Sequence, residues 1–143
     1  MRHLEQAGLF LAKAAEDEAL LAAAADKPEL SSAIYGFHCQ QAVEKLLKAL
    51  LSARQIAFGR SHDLAQLGHL VESHGCPLPE DWGRLEPLTA FAVRFRYELL
   101  DVELAVDRVA TLQAIRELRL FVEAEIRKPS ASAPPHPNPG SNP

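Results

Sequence analysis

Cysteine is scarce in this chain. Cys39 and Cys76 are the two it has, and neither belongs to a Cys-x-x-Cys pair or a Cys/His ligand spacing. That excludes a disulfide scaffold and a four-ligand structural zinc site, and both thiols are expected to stay reduced. No apolar run approaches the roughly 20 residues of a membrane span. The first ten residues carry Glu5 inside an amphipathic pattern, which is not how a signal peptide reads. A cytoplasmic location is the default expectation. Basic excess is also missing: 15 Lys and Arg stand against 19 Asp and Glu, for a net charge of -4. A broad non-specific grip on duplex phosphates is therefore not expected, although a local basic cleft is compatible with this balance. The chain has no Gly-rich phosphate loop, no His-Glu-x-x-His and no Gly-x-Ser-x-Gly. It has no Gly-Ser followed by paired acidic residues, which a nucleotidyltransferase would need to hold magnesium. The histidines are scattered. His3 and His136 lie near the ends, and His62 and His69 share a face if both are helical, but no third ligand joins them. Neither a metal nor a cofactor is expected.

What is present is hydrophobic residue and helix-forming composition. Hydrophobic residues make up 48% of 143 positions, enough for the core of one domain. Residues 2–26 are rich in Ala, Leu, Glu and Lys, which predicts a first helix with Leu4, Leu9, Leu11, Ala15, Leu20 and Ala24 on a broad apolar face. The small run 22–25 would let another helix approach closely. Pro28 ends this helix. Ser31 or Ser32 caps a second helix running to about Arg54. At about 100° per residue, Cys39, Ala42, Val43, Leu46, Leu47 and Leu50 fall on one arc, and His38, Gln41, Lys45 and Lys48 on another. A polar stripe beside a core stripe fits a helix bordering a cleft, and fits an ordinary solvated face equally well.

Gly59 interrupts the pattern. Ser61 as N-cap and Asp63 at the dipole open a third helix that ends near His74 and Gly75. Pro79 starts a short helical turn. A fourth helix is predicted over residues 85–97, with Leu88, Phe91, Ala92 and Phe95 in the core. Residues 98–106 are ambiguous between helix and loop. The last helix, over 107–127, offers Val109, Leu112, Ile115, Leu118, Leu120, Val122 and Ile126 as apolar positions. Residues 128–143 are dominated by Pro, Ser and Asn without an apolar anchor and are expected to form a disordered tail. The expected fold is all-α: an antiparallel up-and-down four-helix bundle with a short extra helix, over residues 1–127.

The second helix also carries a motif. Residues 37–51, which run Phe37, His38, Cys39, Gln40, Gln41, Ala42, Val43, Glu44, Lys45 and on to Leu51, closely resemble the FHAQQAxEKxLKALL signature of prokaryotic HEPN domains. Ser61-His62-Asp63-Leu64 resembles the family's T-H-D-L block, Leu85 to Thr89 its L-x-x-L-T stretch, and Val93 to Tyr97 the segment ending in A-R-Y-P. With its flanking helices the resemblance covers about residues 1–127. It implies a helical bundle that forms homodimers and is paired with a minimal nucleotidyltransferase encoded nearby. It also implies a nucleotide or RNA ligand and a toxin–antitoxin-like setting. His38, Gln41, Glu44, Lys45, Lys48, His62, Asp63, Arg94, Arg96 and Tyr97 are the binding candidates.

Many members of that superfamily are ribonucleases whose motif is an Arg followed, after four to six residues, by a His. No Arg of this chain has a His at that spacing. Metal-independent RNA cleavage needs proton transfer, which an always-protonated Arg cannot perform as a base. His38 or His62 would have to replace the missing imidazole. No catalytic residue is therefore assigned, and a binding and dimerisation module is the leading expectation. The alternatives are an atypical endoribonuclease and a purely structural helical dimer. Structural roles stand beside the functional ones: Arg96 as the buried partner of Glu44, Tyr97 at the core edge, and His62 and Asp63 at a helix cap.

Overall fold

The computed structural model describes residues 2–92 and 106–128. Three long helices, α1 (Arg2–Ala24), α2 (Ser32–Ala53) and α5 (Arg108–Arg127), frame it, with the shorter α3 (Leu64–Ser73) and the single turn α4 (Trp82–Leu85) between them. The fold is all-helical, with no strand among the described residues. No helix among them is long and apolar enough to cross a membrane.

Fourteen of the 22 residues of α2 are buried, so it is the central helix. Its predicted apolar arc holds throughout: Cys39, Ala42, Val43, Leu46, Leu47 and Leu50 are all buried. Helix α1 lies antiparallel to it, because contacts pair descending with ascending positions: Leu21 with Tyr35, Asp17 with His38 and Lys45, Phe10 with Phe58. Helix α5 runs parallel to α2, with Arg108 at Tyr35 and Arg54 at Glu125. The inner face of α3 supplies Leu64, Leu67 and Val71 to the core.

The α1 seam differs from the expected one. Ala7, Ala14 and Leu21 are buried at seven-residue spacing, and so are Asp17 and Ala24. Phe10 and Leu11 pack partly against the core. Leu4, Leu9 and Leu20 are exposed instead. The physical reason is closeness: Ala7 and Ala14 admit the neighbouring helix where leucines would hold it off. Likewise Val109 and Leu120, expected inside α5, face solvent, while Leu112, Ile115, Leu118 and Val122 are buried.

Helix ends are settled by side chains. Ser31 caps α2 by accepting from the Ile34 amide, and Asp107 caps α5 by accepting from the Ala110 amide. Helix α1 has no basic residue in its last turn. Arg108 supplies the missing cation from another helix: its guanidinium donates to the carbonyls of Ala24, Lys27 and Leu30 and lies 4.6 Å from the Tyr35 ring centroid. Helices α2 and α3 end alike, with Ile56 N–H on the Leu51 carbonyl and Cys76 N–H on the Val71 carbonyl. The left-handed residue is Gly75 in one and Gln55, at φ 59°, in the other.

The predicted fourth helix is not continuous over its described part. Residues 86–88 form a 3-10 turn after α4, because Pro87 has no amide to donate, and residues 89–92 resume the helix. Leu88 and Phe91 reach the core as expected. Residues 93–97, and with them the count of four long helices, lie outside the described residues, as does the tail over 129–143.

Candidate functional site: a polar edge between α1, α2 and α3

The polar stripe of α2 is not a solvated face. Glu44 is 6% and Lys48 8% exposed, and His38, Gln41 and Lys45 are half-buried. Burial at this level requires partners, and two carboxylates provide them. Asp17, reaching in from α1, accepts from Lys45 Nζ at 2.6 Å and lies 3.3 Å from His38 Nδ1. Glu44 lies 3.1 Å from Lys48 Nζ and 2.9 Å from His62 Nδ1, and accepts from Gln40 Nε2 at 2.9 Å. Each carboxylate thus holds one lysine and one histidine.

The two clusters are linked. Gln40, fully buried, donates to Glu44 and to the His62 carbonyl and accepts from Gln41 Nε2 at 2.7 Å. It ties the loop before α3 to the surface of α2. Burial pushes the Glu44 carboxyl upward, but the hydrogen bonds from Gln40, His62 and Lys48 and the charge of Lys48 outweigh it. They hold the group below its ordinary value. Glu44 is therefore ionised at neutral pH and can only accept, so His62 Nδ1 carries the proton facing it. In that tautomer Nε2 of His62 is an acceptor without a partner among the described residues, on a side chain that is 57% exposed. Lys48 also lies 5.5 Å from the Phe58 ring centroid.

His62 and His69 do not share a helix face, because His62 precedes α3. That helix begins at Leu64 with Asp63, not Ser61, as its N-cap, and the Asp63 carboxylate accepts from the Ala65 amide. Ser61 instead accepts from the Asp63 amide and donates to Gln66. Thr89 accepts from the Leu64 amide, so the third motif block helps close the start of α3. Asp63 is thus a capping residue outside the two clusters. Arg94, Arg96 and Tyr97 lie outside the described residues; among the described residues the Glu44 side chain is bound by Gln40, Lys48 and His62.

Asp17 and Gln40 were not among the candidates named from sequence. Asp17 carried a signal: it stands at a seven-residue step from Phe10 and Ala24, an acid in an otherwise apolar seam. Cys39, behind the edge, is a core residue whose thiol is pushed up to about 12 by burial, with Asp17 adding to the effect and Arg108 opposing it. It is no nucleophile at neutral pH. Among the described residues no group of three or more His, Cys, Asp or Glu is placed to hold a metal ion.

No curated protein and no solved structure matches the chain. The model of one family, the HEPN domain, matches residues 2–128, and it covers both the α2 motif and the elements that form the polar edge. The chain belongs to the HEPN domain family.

Proposed function

We propose that this HEPN domain is a nucleotide- or RNA-binding and dimerisation module that works with a minimal nucleotidyltransferase, as in a toxin–antitoxin pair. The observation that carries the reading is the row His38, Gln41, Lys45 and His62, with each imidazole held by a buried carboxylate. An oriented imidazole accepts from a ribose hydroxyl when neutral and donates to phosphate when protonated. Lys45 and Lys48 are bound to Asp17 and Glu44. Binding therefore rests on imidazole and amide contacts more than on free ammonium charge. Arg94, Arg96 and Tyr97 remain further candidates for the same edge.

Titration of a fluorescent single-stranded RNA with the full chain tests this reading. His62→Ala is expected to weaken binding about tenfold, the loss of one hydrogen bond to a charged group, while the exposed His69→Ala leaves it unchanged. The salt dependence should be shallow, equivalent to about one or two phosphates. Equal binding by both variants, or a steep salt slope, contradicts the reading. Sedimentation of the full chain at twice its mass, and co-purification with the nucleotidyltransferase encoded nearby, test the assembly.

The Glu44–His62 pair also favours a second reading, an endoribonuclease without the usual Arg/His spacing. His62 Nε2 would take the proton of a 2′-hydroxyl as its oxygen attacks the phosphorus. The 5′-oxygen would leave with a proton from His38, itself held by Asp17. The products would be a 2′,3′-cyclic phosphate and a 5′-hydroxyl. Metal-independent appearance of those ends, abolished by His62→Ala, separates this reading from binding alone.

A further inference from the structure

We propose that the groove between the start of α1 and the end of α2 binds the phosphate group of a small phosphate or phosphate ester. The groove, about 590 Å³, is lined by Arg2, His3 and Gln6 from α1, by Ser52 and Gln55 from the end of α2, and by Phe58 among the loop residues that follow. No carboxylate lines it. The side chains of Arg2, His3, Gln6 and Gln55 form no hydrogen bond or ion pair among the described residues. The start of a 23-residue helix adds its first-turn amides, which have no partner within the helix and carry the positive end of its dipole.

The independent observation is Ser52. It is 4% exposed, and its Oγ is the buried side-chain oxygen without a partner among the described residues. A hydroxyl left unpaired in the interior is unfavourable, and at the wall of a groove it is a donor waiting for an acceptor. Gln55 points the same way. It occupies the left-handed position that glycine holds at the end of α3, and it places an amide donor on the groove at the expense of backbone ease. A cation, a helix start, two amides and a hydroxyl without a competing acid suit an oxyanion with several acceptor oxygens.

The site stands apart from the α2 edge and does not depend on the function proposed there. The test is a two-dimensional amide NMR titration of the full chain with inorganic phosphate, ribose 5-phosphate and adenosine 5′-monophosphate. Saturable shifts are expected at Arg2, His3, Gln6, Ser52 and Gln55, and not at His38 or His62. Equal affinity for the three probes assigns the site to the phosphate itself; tighter binding of one ester identifies its organic part as a contributor. The double change Arg2→Ala with His3→Ala should weaken binding about tenfold, and Ser52→Ala about threefold, in the range of lost hydrogen bonds to a charged group. Ser52→Ala should melt no earlier than the wild type. Absence of saturable shifts up to on the order of 10 mM, where affinity is negligible, overturns the proposal. So do shifts confined to the α2 edge, unaltered binding by the double variant, or early melting of Ser52→Ala, which would give the hydroxyl an internal partner.

Discussion

The polar edge of α2 and the groove at the start of α1 make opposite use of similar residues. On the edge, each lysine and each imidazole is tied to a buried carboxylate, Asp17 or Glu44. In the groove, Arg2, His3 and Ser52 face no acid. The motif residues are therefore first a structural network that locks α1, α2 and the loop before α3 together. What that network leaves over for a ligand is oriented imidazole rather than free charge. The groove, which no motif marks, has side-chain donors without partners among the described residues.

The largest test of this contrast is Glu44→Ala. It strands buried Lys48 and Gln40 and should cost about 3–5 kcal/mol, as removal of one partner from a buried pair does. Urea denaturation measures it, and Arg2→Ala in the groove should be nearly neutral by the same measure. Arg108→Ala comes next. Losing the carbonyl contacts at the end of α1 should cost about 2 kcal/mol, visible as a lower urea midpoint. A smaller effect concerns acid. Because Glu44 is held below its ordinary 4.5, the stability it contributes is complete above that value and is lost as pH falls through the lower folded value. Glu125, held down chiefly by Lys128, acts in the same direction. The melting temperature should be level above about pH 5 and fall below pH 4.5, with a shallower fall in Glu44→Gln. The smallest change is a gain: Gln55→Gly should stabilise by about 0.5–1 kcal/mol by relieving the left-handed backbone, and should weaken phosphate binding at the same time.

Much of this was readable in the chain. The buried arc of α2 follows from its period, the Ser31 cap from residue type, and the family from residues 37–51. The seam of α1 is not legible from hydrophobicity and helical spacing alone. Close helix packing selects Ala7 and Ala14 and turns Leu9 and Leu20 outward. The α2 stripe was ambiguous because a sequence shows which residues share a face but not what lies opposite. Asp17, 28 positions before Lys45, decides that the stripe is buried and paired. Arg108 at the end of α1 is likewise a contact between distant segments, with no local signal. The role of Pro87 is local: directly after α4 it has no amide to continue the helical hydrogen bonding, and the 3-10 step follows there.

The central claim is that Glu44 orients His62. Long-range proton–nitrogen NMR of the histidine rings, at a pH where both rings are neutral, reads it directly, with exposed His69 as the reference. The account predicts that His62 is a single tautomer with its proton on Nδ1, while His69 averages between the two forms. A His62 pattern indistinguishable from that of His69 would contradict it.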